Sequence, residues 1–189
     1  MRKNENNTKV VVTGGAGFIG SHLTDALVAR GCEVHVIDSL SGGKKEHVNP
    51  KARFHKKDIR NLADIQPIIK GATFVFHLAA LPRVQYSIEH PSETHDVNVT
   101  GTLNVLLASK EAGVKRVVYS ASSSAYGDQP ARTIGSIRSG GKTLPLRENM
   151  APLPKSPYGL QKYIGEQYCR VWSAVFGLET VSLRYFNVF

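Results

Sequence analysis

Short apolar runs rich in β-branched residues recur along the chain. Between most of them lie stretches whose apolar positions repeat every three or four residues. Val10-Val11-Val12 opens the series and predicts a buried strand, and residues 21–30 follow as a helix. A second strand is predicted over 33–37, ending in Asp38, and a short third over 53–57. Asp58-Ile59-Arg60 then leads into a helix through Ile69, which Gly71 stops. Residues 73–78 (Thr-Phe-Val-Phe-His-Leu) read as a fourth buried strand running into Ala79-Ala80, with His77 as a core histidine. Pro91 opens a long helical region whose apolar face carries Val97, Leu103, Val105, Leu106 and Leu107, and Gly113 ends it. Asn98 lies among these apolar positions, and its amide must find a partner. A fifth strand over 116–120, a helix over 158–176 closed by Gly177, and a sixth strand over 179–184 complete the series. Strand and helix alternate throughout, which predicts an α/β fold: a doubly wound parallel sheet with helices on both faces.

The joint between the first strand and its helix carries glycines at 14, 17 and 20. Gly14 lets the chain turn sharply off the strand, and Gly17 lets backbone approach a phosphate with no Cβ in the way. Gly20 lets the helix pack closely on the sheet, with its N-terminal N–H groups facing a pyrophosphate. Taken alone, such a triplet serves a tight turn equally well. Asp38 stands 18 residues beyond Gly20, where a dinucleotide fold places an acid against the adenosine ribose hydroxyls. A carboxylate there repels a 2′-phosphate and favours NAD over NADP, with Lys44 and Lys45 as a nearby counterweight; an aspartate that merely ends a strand is the alternative. The small Ala79 and Ala80 leave room for a flat cofactor or for a packed helix. A Rossmann-type domain over 9–189, preceded by a polar tail over 1–8, is the resulting expectation.

Composition narrows the picture. The net charge of +9 comes from 24 basic and 15 acidic residues, and the basic ones are scattered without interleaved aromatics. That pattern reads as a solvated basic surface, not a nucleic-acid face. No apolar run approaches the ~20 residues that cross a membrane. Two cysteines, Cys32 and Cys169, support neither a disulfide framework nor a metal site, and point to a reducing cytoplasm. Residues 128–150 break the alternation. Within them, 131–143 are rich in Gly, Ser and basic side chains and read as a mobile surface insertion, either covering a substrate or simply inserted.

Candidate chemistry lies in two stretches. Ser120-Ala121-Ser122-Ser123-Ser124-Ala125-Tyr126-Gly127 follows the fifth strand, and Tyr158-Gly159-Leu160-Gln161-Lys162 opens the next helix. Tyr158 and Lys162 stand one helical turn apart on one face. A phenol ionises near pH ~10, so a base at neutral pH needs positive charge beside it; Lys162 and an oxidised nicotinamide both supply that. A serine hydroxyl across the site completes a hydrogen bond to the reacting oxygen.

Together these residues resemble the extended short-chain dehydrogenase/reductases, specifically the NAD-dependent nucleotide-sugar epimerase/dehydratase group. The resemblance rests on Thr13-Gly14-Gly15-Ala16-Gly17-Phe18-Ile19-Gly20, Asp58-Ile59-Arg60, His77-Leu78-Ala79-Ala80 and Asn98-Val99-Thr100-Gly101-Thr102. Ser122-Ser123-Ser124-Ala125-Tyr126-Gly127, Ser156-Pro157-Tyr158-Gly159-Leu160-Gln161-Lys162 and Leu183-Arg184-Tyr185-Phe186-Asn187 follow in family order. It implies that Gly14, Gly17, Phe18, Ile19 and Gly20 hold the pyrophosphate of NAD, and Asp38 the ribose. Asp58 and Ile59 would contact the adenine, Leu78, Ala79 and Ala80 would line the channel, and Asn98 would support the cofactor side. Tyr158 would be the base, Lys162 its partner and a nicotinamide-ribose ligand. Ser122 would orient the sugar, with Ser123 beside it, and Asn187 would touch the substrate phosphates.

The serine-rich turn is similar to that of UDP-hexose and UDP-N-acetylhexosamine 4-epimerases, whereas the dehydratase branch carries Thr-Asp-Glu at Ser122-Ser123-Ser124. An NAD-dependent reductase or decarboxylase of nucleotide sugars, or a non-catalytic dinucleotide-binding module, are the alternatives. The resemblance also implies a homodimer, built on the helices over 97–110 and 158–176. Beyond Phe189 the family continues with a seventh strand and a substrate domain, so the expectation is an amino-terminal portion.

Overall fold

The computed structural model describes residues 8–128 and 145–189; the insertion predicted over 131–143 lies outside them. Six strands form one parallel sheet in the order β3-β2-β1-β4-β5-β6. They are β1 (Lys9–Thr13), β2 (Glu33–Asp38), β3 (Arg53–Lys56), β4 (Phe74–His77), β5 (Arg116–Ser122) and β6 (Glu179–Tyr185). The helices are α1 (Phe18–Ala29), α2 (Leu62–Ile69), α3 (Val84–Glu89), α4 (Pro91–His95), α5 (Gly101–Glu111) and α6 (Pro157–Phe176). The valine run explains the layering. Val10 and Val12 face the layer of Leu27 on α1, with Val34 and Val36 beside them. Val11 faces the opposite layer, where Ile65 and Ile69 of α2, Val105 and Leu106 of α5 and Cys169 and Trp172 of α6 pack. A strand apolar at every position is therefore covered on both sides, as parallel sheets require.

The chain builds β1, β2 and β3 outward in one direction, then returns to lay β4 on the other side of β1. That reversal opens a crevice at the carboxyl ends of β1 and β4.

Several elements differ from the periodicity. The first helix begins at Phe18, three residues before the predicted start, because Gly17 at φ −81° and ψ 175° passes straight from the turn into helical backbone. The helical region after Pro91 is interrupted by a π turn, Asp96–Thr100, between α4 and α5. Helix α3 has only six residues and leaves Val84 and Ile88 exposed, so it carries no apolar period to read. Helix α6 begins one residue before the predicted start, where Ser156 Oγ accepts from the Gly159 N–H at 3.1 Å and Pro157 opens the first turn, and it ends as expected at Gly177, which takes the left-handed cap at φ +69°. Among the described residues no helix is long and apolar enough to cross a membrane.

Candidate active site

The glycine turn is built by steric exclusion. Gly14 sits at φ +73°, and a Cβ there would lie 2.6 Å from the Ala79 nitrogen at the end of β4. A Cβ on Gly20 would meet the Gly14 carbonyl and lie 2.8 Å from Gly15 Cα. Gly20 therefore lets α1 pack on the turn itself, a correction to the expected close approach to the sheet. Gly17 caps α1 without a side chain, and the first turn of that helix holds no acid, so its N–H groups and positive dipole end are left for a ligand.

The Asp38 carboxylate closes the turn from the side. One oxygen accepts from the Ala16 N–H at 3.0 Å and the other from the Leu40 N–H at 2.8 Å. The Ala16 carbonyl in turn accepts from the Lys44 N–H at 3.1 Å. The segment after β2 is thus folded against the turn at the cleft wall.

These elements border a cleft of about 570 Å³. Gly14, Gly17, Phe18, Ile19, Gly20, Asp38, Asp58, Ile59, Leu78, Ala79, Ala80, Ser122, Ser123, Tyr158, Lys162 and Asn187 all line it. Asn98 does not. Its side chain is buried behind the wall, where Oδ1 accepts from the Leu81 N–H at 2.8 Å while Nδ2 donates to the Leu81 carbonyl and to Gln161 Oε1. The amide found the partners its burial required, and it holds the backbone of Leu81, which does line the cleft. Asp58 is gripped by Arg60, whose Nη2 lies 2.6 Å from Oδ2, and this hydrogen-bonded pair holds the carboxyl below its usual range. Ser120, Glu93 and Tyr185 also border the cleft and were missed. Of these, Tyr185 stood two residues before Asn187 in the last motif, and Ser120 two before Ser122; Glu93 carried no signal.

Tyr158 and Lys162 are both buried at the cleft floor, one turn apart on α6. The Tyr158 N–H donates to Ser87 Oγ at 3.0 Å, tying the helix start to α3. Burial pushes the Tyr158 phenol above its ordinary value, and the Ser122 hydroxyl beside it pulls the other way. The expected lowering by Lys162 is not what the geometry shows: its ammonium donates to the Ser120 carbonyl at 2.8 Å. Lys162 itself is lowered by burial to about 8. His77 bridges Thr13 Oγ1 at 2.7 Å and Thr102 Oγ1 at 2.9 Å, and burial lowers it to about 3, so it is a neutral core residue. Among the described residues no cluster of three or more His, Cys, Asp or Glu could hold a metal ion.

Comparison with known proteins places this geometry. The model of the NAD dependent epimerase/dehydratase family matches residues 10–189. A putative UDP-glucose 4-epimerase of Methanocaldococcus jannaschii is 38% identical over 181 residues, covering 95% of this chain and 56% of that protein. The structure of UDP-N-acetylglucosamine 4-epimerase from Methanobrevibacter ruminantium, in complex with UDP-N-acetylmuramic acid, superposes with a TM-score of 0.87 at 39% identity, covering 97% of this chain and 56% of that one. UDP-glucose 4-epimerase of Thermus thermophilus, in complex with NAD, gives a TM-score of 0.87 at 37% identity, covering 96% and 56%. The chain thus spans little more than half the length of the relatives it matches. Because the family match runs from β1 through β6 and takes in every wall of the cleft, the chain belongs to the NAD dependent epimerase/dehydratase family.

Proposed function

We propose that the cleft holds NAD and serves a UDP-sugar 4-epimerase acting on UDP-hexoses or UDP-N-acetylhexosamines. The observation that carries this reading is the convergence of an uncapped, acid-free α1 N-terminus, Asp38, and the buried Ser122, Tyr158 and Lys162 on one space. The residues present fit the dinucleotide. Gly17 and the leading N–H groups of α1 suit a pyrophosphate, Asp38 a ribose diol, and Ala79 and Ala80 a flat ring. Bound NAD supplies a hydride acceptor for C4 of the sugar and a hydride donor for the opposite face.

The chain's own residues handle the proton. Tyr158 takes it from the C4 hydroxyl and later gives it back, while the Ser122 hydroxyl donates to the same oxygen and fixes its direction. Burial opposes phenolate formation, so Tyr158 depends on the Ser122 hydroxyl to ionise. Asn187 and Phe186, just beyond β6, form the rim against which substrate phosphates would lie. The pairing of two such chains through α5 and α6, and residence in a reducing cytoplasm that keeps Cys32 and Cys169 out of disulfides, belong to the same proposal.

Calorimetric titration of the 189-residue chain with NAD, with NADP as control, tests the reading. Saturable NAD binding, about tenfold or more tighter than NADP, is the expected result, because a carboxylate at Asp38 would repel a 2′-phosphate on the adenosine ribose. A folded chain that takes up neither dinucleotide would sink the assignment.

A further inference from the structure

One ionic cluster outside the cleft joins α6 and the serine turn, which carry its reactive side chains, to β6. Glu166 follows Lys162 by four residues and Tyr158 by eight, and so lies along the same side of α6. Arg184 on β6 stands opposite Ala121 in the β5–β6 ladder, beside the Ser122–Tyr185 pair. Its Nε donates to one Glu166 oxygen at 2.8 Å and its Nη2 to the other at 2.7 Å, a two-pronged fork. The same guanidinium lies over the ring of Tyr126, 4.4 Å from its centroid. Tyr126 is buried and ends the short helical turn that Ser122 caps by accepting from the Ser124 N–H at 3.1 Å. The Arg184 and Glu166 side chains keep only 14% and 18% of their surface exposed. None of Arg184, Glu166 and Tyr126 lines the cleft.

A partly buried ion pair gives little net stability, whereas a planar fork that also stacks on a ring fixes orientation. We infer that Arg184 is a positioning residue: by gripping Glu166 on α6 and Tyr126 at the end of the serine turn, it sets the separation of the Ser122 hydroxyl and the Tyr158 phenol. The inference rests on the proposed proton-handling role of that pair. Loss of the grip lets the turn drift from α6, and Tyr158 then loses its Ser122 donor while remaining buried. The other titratable groups that line the cleft are Lys162 on α6, Tyr185 on β6, Glu93 on α4, Asp38 at the end of β2, and Lys57, Asp58 and Arg60 beyond β3, with Tyr119 on β5 buried against the Lys162 ammonium, all untouched by the variants below.

The test places 3,5-difluorotyrosine at position 158 of the 189-residue chain and follows its ionisation by fluorine NMR, since that phenol titrates at lower pH than tyrosine. Four backgrounds are compared: unchanged, Ser122→Ala, Arg184→Lys, and both together. Ser122→Ala is expected to raise the midpoint by roughly one pH unit. Arg184→Lys, which keeps the charge but not the fork, is expected to raise it by most of that amount. The double variant is expected to go no higher than Ser122→Ala alone. An unmoved midpoint in Arg184→Lys, even with a lower melting temperature, would make the residue structural only and overturn the inference. Shifts that simply add in the double variant would overturn it too, since Arg184 would then act independently of Ser122. Should Arg184→Lys not fold, the isosteric Glu166→Gln decides in the same way, an unmoved midpoint counting against. NAD titration of the same samples keeps the two readings apart: coupled midpoint shifts without NAD binding support the positioning role and overturn the cofactor assignment alone.

Discussion

The two ends of the cleft are made of different material. At the β1–α1–β2 end the chain offers main chain: a glycine turn, the leading N–H groups of a helix, and one carboxylate bonded to two backbone amides. At the β5–α6–β6 end it offers side chains on elements anchored by distant parts of the chain: Lys162 by the Ser120 carbonyl, the start of α6 by Ser87, and Gln161 by Asn98 and Thr94. Recognition by backbone is damaged by atoms that are added. Chemistry by side chains is damaged by atoms that are removed.

The sharpest way to break the first end is Gly20→Ala. The new methyl has no direction to yield, because what it meets is the backbone of Gly14 and Gly15. A loss of about 3 kcal/mol in urea denaturation is expected, with NAD binding no longer measurable. At the second end, Lys162 links stability to pH. Its folded value of about 8 lies below its ordinary 10.5, so between those two values the unfolded chain holds more protons, and stability from this group rises with pH. Relative to a Lys162→Met variant, the unaltered chain should gain about 2 kcal/mol on going from about pH 7 to pH 9.5, read from denaturation curves of both. Taking the difference removes the opposing contribution of Cys169, which burial raises to about 12. The mildest probe is Asp38→Asn, the one side chain on which the backbone end depends. An amide nitrogen replaces one of two acceptors and faces an N–H, so NAD affinity should fall about tenfold by calorimetry, with NADP losing less. Equal losses for both dinucleotides would move Asp38 from ribose recognition to support of the turn alone.

This division also explains what could be read in advance. Val10-Val11-Val12, the glycine spacing, the helix stop at Gly177 and the Tyr158–Lys162 spacing are local patterns, and each appears in the fold where its own chemistry demands. Relations that depend on distant chain were out of reach. The Ser120 carbonyl that holds Lys162 has no signature, because every residue has a carbonyl. The burial that raises Tyr158 is a property of the assembled core, not of a five-residue motif. Asn98 was visible as a polar residue in need of a partner, but Leu81 and Gln161 could not be named, and the π turn that carries it leaves the helical periodicity intact enough to hide. Arg184 appeared only as part of a family motif, because its partners lie on α6 and after β5.

The strand order carries a consequence for how the molecule is made. Of the six strands, β1, β2, β3 and β4 are synthesised first, and they already include the glycine turn, Asp38 and Ala79-Ala80. The ladder between β5 and β6 joins Arg116 to Glu179 across 63 residues of sequence, a long loop to close before pairing rewards it. On a growing chain, Ser122 waits at the end of β5 for Tyr158, and both wait for Arg184. The end of the cleft proposed to hold a dinucleotide can therefore form on the ribosome before the residues proposed to handle a proton come together.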